Sequence, residues 1–155
     1  MAVILDWNEL AKNLSAKRAN KKVVFTNGCF DLLHVGHVTY LNEAKAQGDI
    51  LVVGLNTDAS VKKLKGESRP VQCQEDRAMI LSNLKSVDVV TLFDQDTPLE
   101  LITAIQPDVL VKGGDWPIDK IVGSQVVLSR GGEVKSLSFV NGKSTTKILE
   151  KILHR

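Results

Sequence analysis

Thr26-Asn27-Gly28-Cys29-Phe30-Asp31-Leu32-Leu33-His34-Val35-Gly36-His37-Val38-Thr39-Tyr40-Leu41 holds two of the chain's three histidines, and the rest of the chain is arranged around it. The run before it, Val23-Val24-Phe25 behind the basic pair Lys21-Lys22, is short, β-branched and aromatic, and so predicts a buried parallel strand. After it, Val38, Tyr40, Leu41, Ala44 and Lys45 follow at helical spacing until Gly48 stops them. Both histidines therefore fall where a strand hands over to a helix. In an open parallel sheet that handover lies at the carboxyl edge, where a helix N-terminus offers free N–H groups and a positive dipole end to an anion.

His34 and His37 are three residues apart, which predicts two rings on one face of a first helical turn, with Gly36 leaving room for a ligand to reach the backbone. Two adjacent imidazole donors over a helix N-terminus suit a phosphate, because fixed donors there stabilise the charge that gathers on phosphoryl oxygens in a transition state. The same pair with Cys29 or Cys73 could ligate zinc. However, no Cys-x-x-Cys partner exists and the two cysteines lie far apart in sequence.

Outward from this stretch, Leu5 to Ala19 reads as a helix with Asp6 as its N-cap and Leu10, Ala11 and Leu14 along one side. Ile50 to Leu55 is a second strand, and Asn56-Thr57-Asp58 caps a short helix from Ala59 to about Leu64. The strand–helix–strand order implies right-handed crossovers and a parallel sheet. Lys62 to Pro70 is a basic loop broken by Gly66, and its four cations, Lys62, Lys63, Lys65 and Arg69, suit a triphosphate or pyrophosphate. Gln74 opens a helix with Ala78, Ile80, Leu81 and Leu84 as its apolar face, and Arg77 pairs with an acidic neighbour or serves the site. Asp88 to Phe93 is a third strand, and Thr97-Pro98-Leu99-Glu100 starts a helix running to about Gln106. Asp108 to Lys112 is a fourth strand ending in Gly113-Gly114-Asp115-Trp116, where paired glycines let a flat ligand approach the backbone. A helix over Ile121 to Ser129, a fifth strand over Glu133 to Phe139, and a last helix headed by Ser144-Thr145-Thr146 complete the chain.

Composition excludes several functions. A hydrophobic share of 43%, a charged share of 25% and a net charge of +2 in 155 residues describe one ordinary globular domain, with no charge excess that would argue for nucleic acid. No apolar run approaches membrane-spanning length, and two cysteines make no disulfide framework, so a reduced cytoplasmic setting is expected.

Gly28-Cys29-Phe30-Asp31 followed by His34-Val35-Gly36-His37 resembles the signature of the nucleotidyltransferase superfamily that contains the cytidylyltransferases and pantetheine-phosphate adenylyltransferase. With Lys65-Gly66, Arg69-Pro70-Val71, Lys112-Gly113-Gly114-Asp115 and Ser144-Thr145-Thr146 in order, the resemblance runs from about Lys22 to Ile152. It is greatest to the heptose-1-phosphate adenylyltransferases, or ADP-heptose synthases. It implies a single Rossmann-like α/β domain over residues 1–155. Residues 1–21 are an added N-terminal helix and lead-in, and 22–155 a catalytic core with a parallel sheet of about five strands flanked by helices.

The resemblance further implies His34, His37 and Lys65 as catalytic residues. Nucleotide contacts would come from Thr26, Asn27, Gly28, Cys29, Phe30, Asp31, Gly36, Lys112, Gly113, Gly114, Asp115, Ser144, Thr145 and Thr146, with further phosphate or substrate contacts at Lys62, Arg69, Arg77 and Lys151. The implied substrates are ATP, carried with Mg²⁺ that no protein side chain is assigned to hold, and a sugar 1-phosphate. Cytidylyltransferases carry an Arg-Thr-x-Gly segment before their Ser-Thr pair. Phe139-Val140-Asn141-Gly142 stands here without the arginine, which favours ATP over the CTP of a glycerol-3-phosphate-type enzyme. A non-catalytic nucleotide-binding module is the remaining alternative. The family also implies a homo-oligomer, such as a dimer. Since 155 residues leave no room for a kinase domain, the sugar 1-phosphate is expected from a separate kinase chain.

Overall fold

Runs of apolar and β-branched residues become the strands of one parallel sheet, and the segments between them become the helices that cover it. The computed structural model describes residues 2–154. The strands are β1 (Val3–Ile4), β2 (Val23–Gly28), β3 (Ile50–Asn56), β4 (Val89–Phe93), β5 (Val109–Gly113) and β6 (Glu133–Leu137). They form a 6-stranded sheet in the order β1-β4-β3-β2-β5-β6, each neighbouring pair parallel. The chain steps outward from β2 through β3 to β4, then returns to the other side of β2 for β5 and β6. That reversal puts a crevice at the carboxyl ends of β2 and β5, the place where such sheets take ligands.

Helices α1 (Trp7–Lys17), α2 (Val35–Lys45), α3 (Asp58–Lys65), α4 (Gln74–Ser82), α5 (Leu99–Ile105), α6 (Ser124–Leu128) and α7 (Thr145–Leu153) surround the sheet. Successive strand residues face opposite sides, so the core divides in two. Val24, Leu51, Val53 and Val109 pack with Tyr40, Leu41 and Ala44 of α2 and Ala78 and Leu81 of α4. Val23, Phe25, Val52 and Leu110 pack with Leu10 and Leu14 of α1, Leu101, Ile102 and Ile105 of α5 and Val127 of α6. Each fully buried leucine here contributes roughly 2 kcal/mol by leaving water. At the amino edge, carboxylates hold the strand starts: Asp108 accepts from the Val23 amide at 2.8 Å and Asp88 from the Leu51 amide at 2.7 Å. No helix among the described residues is long and apolar enough to cross a membrane.

The structure adds one strand to the expected five. β1 is two residues long and exposed, pairing Val3 and Ile4 with Val89 and Val90, and too short to show a period in sequence. Asp6 caps α1 as expected, accepting from the Asn8 amide at 2.9 Å, so the helix is Trp7–Lys17, two residues shorter at each end than the expected Leu5 to Ala19. The helix expected over Ile121 to Ser129 is only Ser124–Leu128, preceded by a 3₁₀ turn at Ile118–Lys120. Gly123 interrupts it at φ +85, and a Cβ there would lie 2.6 Å from Ile102. The last strand stops at Leu137, leaving Phe139 in the following loop. Pro98, not Thr97, occupies the cap position of α5, with Thr97 Oγ1 3.5 Å from the Leu99 amide.

Candidate active site

The loop after β2 turns through Phe30, at φ 43, and enters α2 with His34 at the cap position. His34 thus stands one residue before the helix and not on its first turn. Its Nδ1 accepts from the Gly36 amide at 3.1 Å. That nitrogen therefore carries no proton, and a neutral ring must hold its proton on Nε2, leaving Nε2–H as an outward donor. His37, on the first turn, stacks on His34 with centroids 3.9 Å apart and planes 25° from parallel, and Phe30 backs it at 5.2 Å. His37 Nδ1 is buried without a partner, so Nε2 is the nitrogen that a ligand can reach.

Both rings are held neutral. Burial lowers the His37 pKa to about 4, helped by repulsion from His34 once acid protonates that ring, and burial with the charge of Lys143 lowers that of His34. At neutral pH the pair acts as two oriented dipoles, which suits donation to phosphoryl oxygens.

Gly36 has a different role from the expected one. A Cβ there would lie 2.9 Å from the His34 ring and 3.3 Å from Lys143 Cβ, so the bare backbone admits protein groups, and its amide is already bonded.

Several residues expected to touch the nucleotide serve the scaffold in this structure. Thr26 is fully buried, with Oγ1 2.6 Å from the Tyr40 hydroxyl, which also donates to the Val111 carbonyl at 3.3 Å and so ties β2 to β5. Burial pushes the Tyr40 pKa up to about 12, keeping that hydroxyl protonated. Asp31 is buried and accepts from the Val71 and Gln72 amides at 2.9 and 3.0 Å and from Arg69 Nε at 2.6 Å. Burial raises its carboxyl pKa, but the Gln72 and Val71 amides and Arg69 outweigh that and hold it low. Asp31 and Arg69 therefore hang the 69–72 loop beside the histidine stretch. Asn27 and Gly28 end β2 at the crevice, half-buried, with Phe30 folded back against Gly28.

Arg77, expected as a substrate contact, has no exposed side-chain surface. It donates to the carbonyls of Gln72, Cys29 and Asn56 at 3.0, 2.7 and 2.8 Å and to Asp58 Oδ1 at 2.7 Å. It orients the loops by joining them and presents no donor to solvent. Burial raises the Cys29 thiol pKa against the opposing charges of Lys65, Arg77 and Arg69, so the thiol stays protonated and unsuited to nucleophilic attack.

Lys62 and Lys65 lie in the last turn of α3, which ends one residue beyond the expected Leu64, and the loop begins at Gly66 with φ 97. Both are exposed, and the charge of Lys65 acts to lower the Cys29 pKa.

At the end of β5, Lys112 is half-buried and Asp115 exposed. The flat group on the glycine pair is the chain's own Phe139, whose ring would lie 2.7 Å from a Cβ at Gly113 and 3.1 Å from one at Gly114.

Ser144 caps α7, accepting from the Lys147 amide at 3.1 Å, while Thr145 is buried and donates to the Leu32 carbonyl at 3.0 Å. That bond fastens the start of α7 against the start of α2. Thr146 is exposed on the first turn. Lys151 falls in the last turn, about 9 Å along the axis from Thr145 at 1.5 Å per residue, and so lies at the far end of α7 from the site. Lys147 is the basic residue nearer the helix start. The sequence reading also missed Lys143; its signal was a lone cation directly before a capping serine.

Among the described residues no group of three or more His, Cys, Asp or Glu side chains could hold a metal ion. A groove at the opposite edge of the sheet, bounded by Leu10, Leu14, Ile50 and Val89, contains no histidine.

The cytidylyltransferase-like family matches residues 25–151. The bifunctional protein HldE of Citrifermentans bemidjiense is 62% identical over 133 residues, covering 86% of this chain and 27% of that protein. The bifunctional protein HldE of Geobacter sulfurreducens is 56% identical over 153 residues, 98% of this chain and 31% of that protein. The chain thus spans less than a third of the length of these relatives. Among solved structures, the lipopolysaccharide core biosynthesis protein from Thermoplasma volcanium superposes with a TM-score of 0.62 at 28% identity, over 79% of this chain and 99% of that one. The pantoate-beta-alanine ligase from Francisella tularensis, at 15% identity and a TM-score of 0.64 over 100% of this chain and 79% of that one, shares the fold. The matched region runs from the middle of β2 to the last turn of α7 and takes in the histidine stretch, the glycine pair and the Ser-Thr-Thr helix start; the chain belongs to the cytidylyltransferase-like family, a family of nucleotidyltransferases.

Proposed function

We propose that this chain transfers AMP from ATP to D-glycero-D-manno-heptose 1-phosphate, releasing pyrophosphate and giving ADP-heptose for the lipopolysaccharide core. The observation that carries the reading is the stacked His34–His37 pair at the N-terminus of α2, beyond the carboxyl end of β2 where the strand order reverses. The names of the HldE relatives and of the Thermoplasma structure support the choice of pathway.

In the reaction a phosphate oxygen of the sugar 1-phosphate attacks the α-phosphorus of ATP, and the bond from that phosphorus to the bridging oxygen of pyrophosphate breaks. The nucleophile needs no base, because the second phosphate pKa is about 6 and the group is already an anion near neutral pH. The work left to the protein is alignment and charge stabilisation. The outward nitrogens of His34 and His37 donate to the non-bridging oxygens of the α-phosphate, and Lys65 faces the triphosphate from the end of α3. Mg²⁺ arrives with ATP as part of the substrate and is held by its phosphates. The sugar 1-phosphate comes from a kinase activity outside these 155 residues, in the same cytoplasmic compartment.

Incubating the protein with Mg²⁺, each nucleoside triphosphate in turn and a panel of sugar phosphates, and measuring pyrophosphate, tests the reading. Release with ATP and heptose 1-phosphate is expected, with no phosphorylation of heptose 7-phosphate. An exclusive preference for CTP would overturn the assignment.

A further inference from the structure

Beside the histidine pair, the loop from Ser138 to Lys143 leads into α7 and brings Lys143 against Gly36, two residues after His34. Three contacts fix its place. Thr145 Oγ1 bonds the Leu32 carbonyl at 3.0 Å, two residues before His34. The Lys143 amide bonds the Val140 carbonyl at 3.3 Å, closing a turn. Lys143 Cβ lies 3.3 Å from where a Cβ on Gly36 would stand, so the two backbones meet without a side chain between them. Beyond that point the Lys143 side chain is exposed and has no carboxylate within ion-pair distance among the described residues.

An unpaired cation beside two uncharged imidazoles is an incomplete arrangement. The rings supply direction but no net charge, and His37 keeps a buried nitrogen without a partner. Lys143 supplies the missing charge next to the starts of two helices, α2 and α7, whose free amides favour an anion. No carboxylate neutralises it, as Asp31 does Arg69 and Asp58 does Arg77.

We propose that Lys143 binds the phosphate chain of the nucleotide at the histidine pair, neutralising the oxygens that become those of the departing pyrophosphate. The inference rests on the nucleotidyl-transfer reading of this site. It adds a substrate-contacting cation from the loop before α7. The lowering of the His34 pKa by Lys143 is the mark of the same proximity.

The test uses the whole chain and inorganic pyrophosphate as the probe, with binding followed by calorimetry and the His34 resonance by NMR. Lys143→Ala is expected to weaken pyrophosphate binding by at least about tenfold and Lys143→Arg to restore most of it, as a charge-assisted contact predicts. His34 should titrate at higher pH in Lys143→Ala but not in Lys143→Arg, which keeps the charge; a rise from lost burial alone would not follow the charge in this way. Pyrophosphate binding by Lys143→Ala within about twofold of wild type would overturn the role of Lys143 while leaving the nucleotidyl-transfer reading intact. If wild type binds neither pyrophosphate nor ATP, the site reading itself fails, and this inference with it.

Discussion

Arg77 buries its whole guanidinium and meets Asp58 Oδ1 at 2.7 Å, although nineteen residues separate them in sequence. The contact joins the middle of α4 to the start of α3, and the remaining donors reach the loop after β2 and the end of β3. One side chain thereby sets the relative position of the segments that lead to Cys29, Lys65 and the 69–72 loop.

Arg77→Ala should therefore cost about 3–5 kcal/mol of folding stability, because it leaves three carbonyls and a carboxylate without their donor. Arg77→Lys should not rescue it, since one ammonium cannot span partners on three segments. Urea denaturation checks both; a loss within experimental error would show that Arg77 is dispensable to the scaffold.

For the histidines, His34→Ala or His37→Ala should lower kcat by at least about a hundredfold with modest change in ATP affinity, since the pair is assigned to transition-state charge. Steady-state kinetics at saturating ATP is the measurement. Wild-type turnover in either variant would remove the basis of the site.

Gly36→Ala is a sharper probe of geometry. The added methyl would meet the His34 ring at 2.9 Å, so the ring must leave its bond to the Gly36 amide. Turnover should fall by at least about tenfold while the far-ultraviolet dichroism stays that of the wild type, since misplacing a donor costs rate before it costs fold. Full activity would mean the Nδ1 bond does not orient the ring.

The pH dependence follows from burial. His37 has its pKa lowered from 6.5 to about 4 in the folded chain, so between those values the unfolded chain binds the extra proton. Stability contributed by the neutral ring is present above pH 6.5 and is lost as pH falls towards 4. His37→Gln should flatten that part of the curve of melting temperature against pH. The acid limb of kcat/KM due to His37 should likewise lie well below 6.5, since that ratio reports the free enzyme. A limb at 6.5 that disappears with His37→Gln would contradict the buried, neutral ring.

Lys65→Ala should lose rate and triphosphate affinity while melting within about half a kcal/mol of wild type, because an exposed cation at a helix end contributes little to folding. Unchanged kinetics would mean that this cation stands clear of the substrate.

The parallel sheet was legible because its inner strands β2, β3 and β4 and the start of β5 are apolar on both faces, and the histidine stretch because glycines and a strand-to-helix change surround it. The caps at Asp6, Thr57 and Ser144 were legible for the same local reason: a short oxygen side chain before a helical run. The fates of Thr26, Asp31, Arg77 and Thr145 were not. Each is a polar side chain whose partner is supplied by a distant segment, and sequence spacing carries no trace of such pairings. Lys143 escaped notice for the converse reason, since a solitary exposed lysine in a polar loop looks like any solvated charge.

The Asp31 carboxylate has a consequence for redesigning this chain. Because the loop from Arg69 to Gln72 hangs from a residue inside the histidine stretch, the wall of the crevice and its chemistry share one attachment point. Between the end of α3 and that attachment, Gly66, Glu67 and Ser68 are exposed, and a Cβ at Gly66 would meet nothing within 4 Å. A library that lengthens this span or randomises Glu67 and Ser68, keeping Gly66 for its φ of 97, can reshape the rim of the crevice beside the histidine stretch while both anchors persist. One that includes Asp31 would instead lose wall and catalytic stretch together.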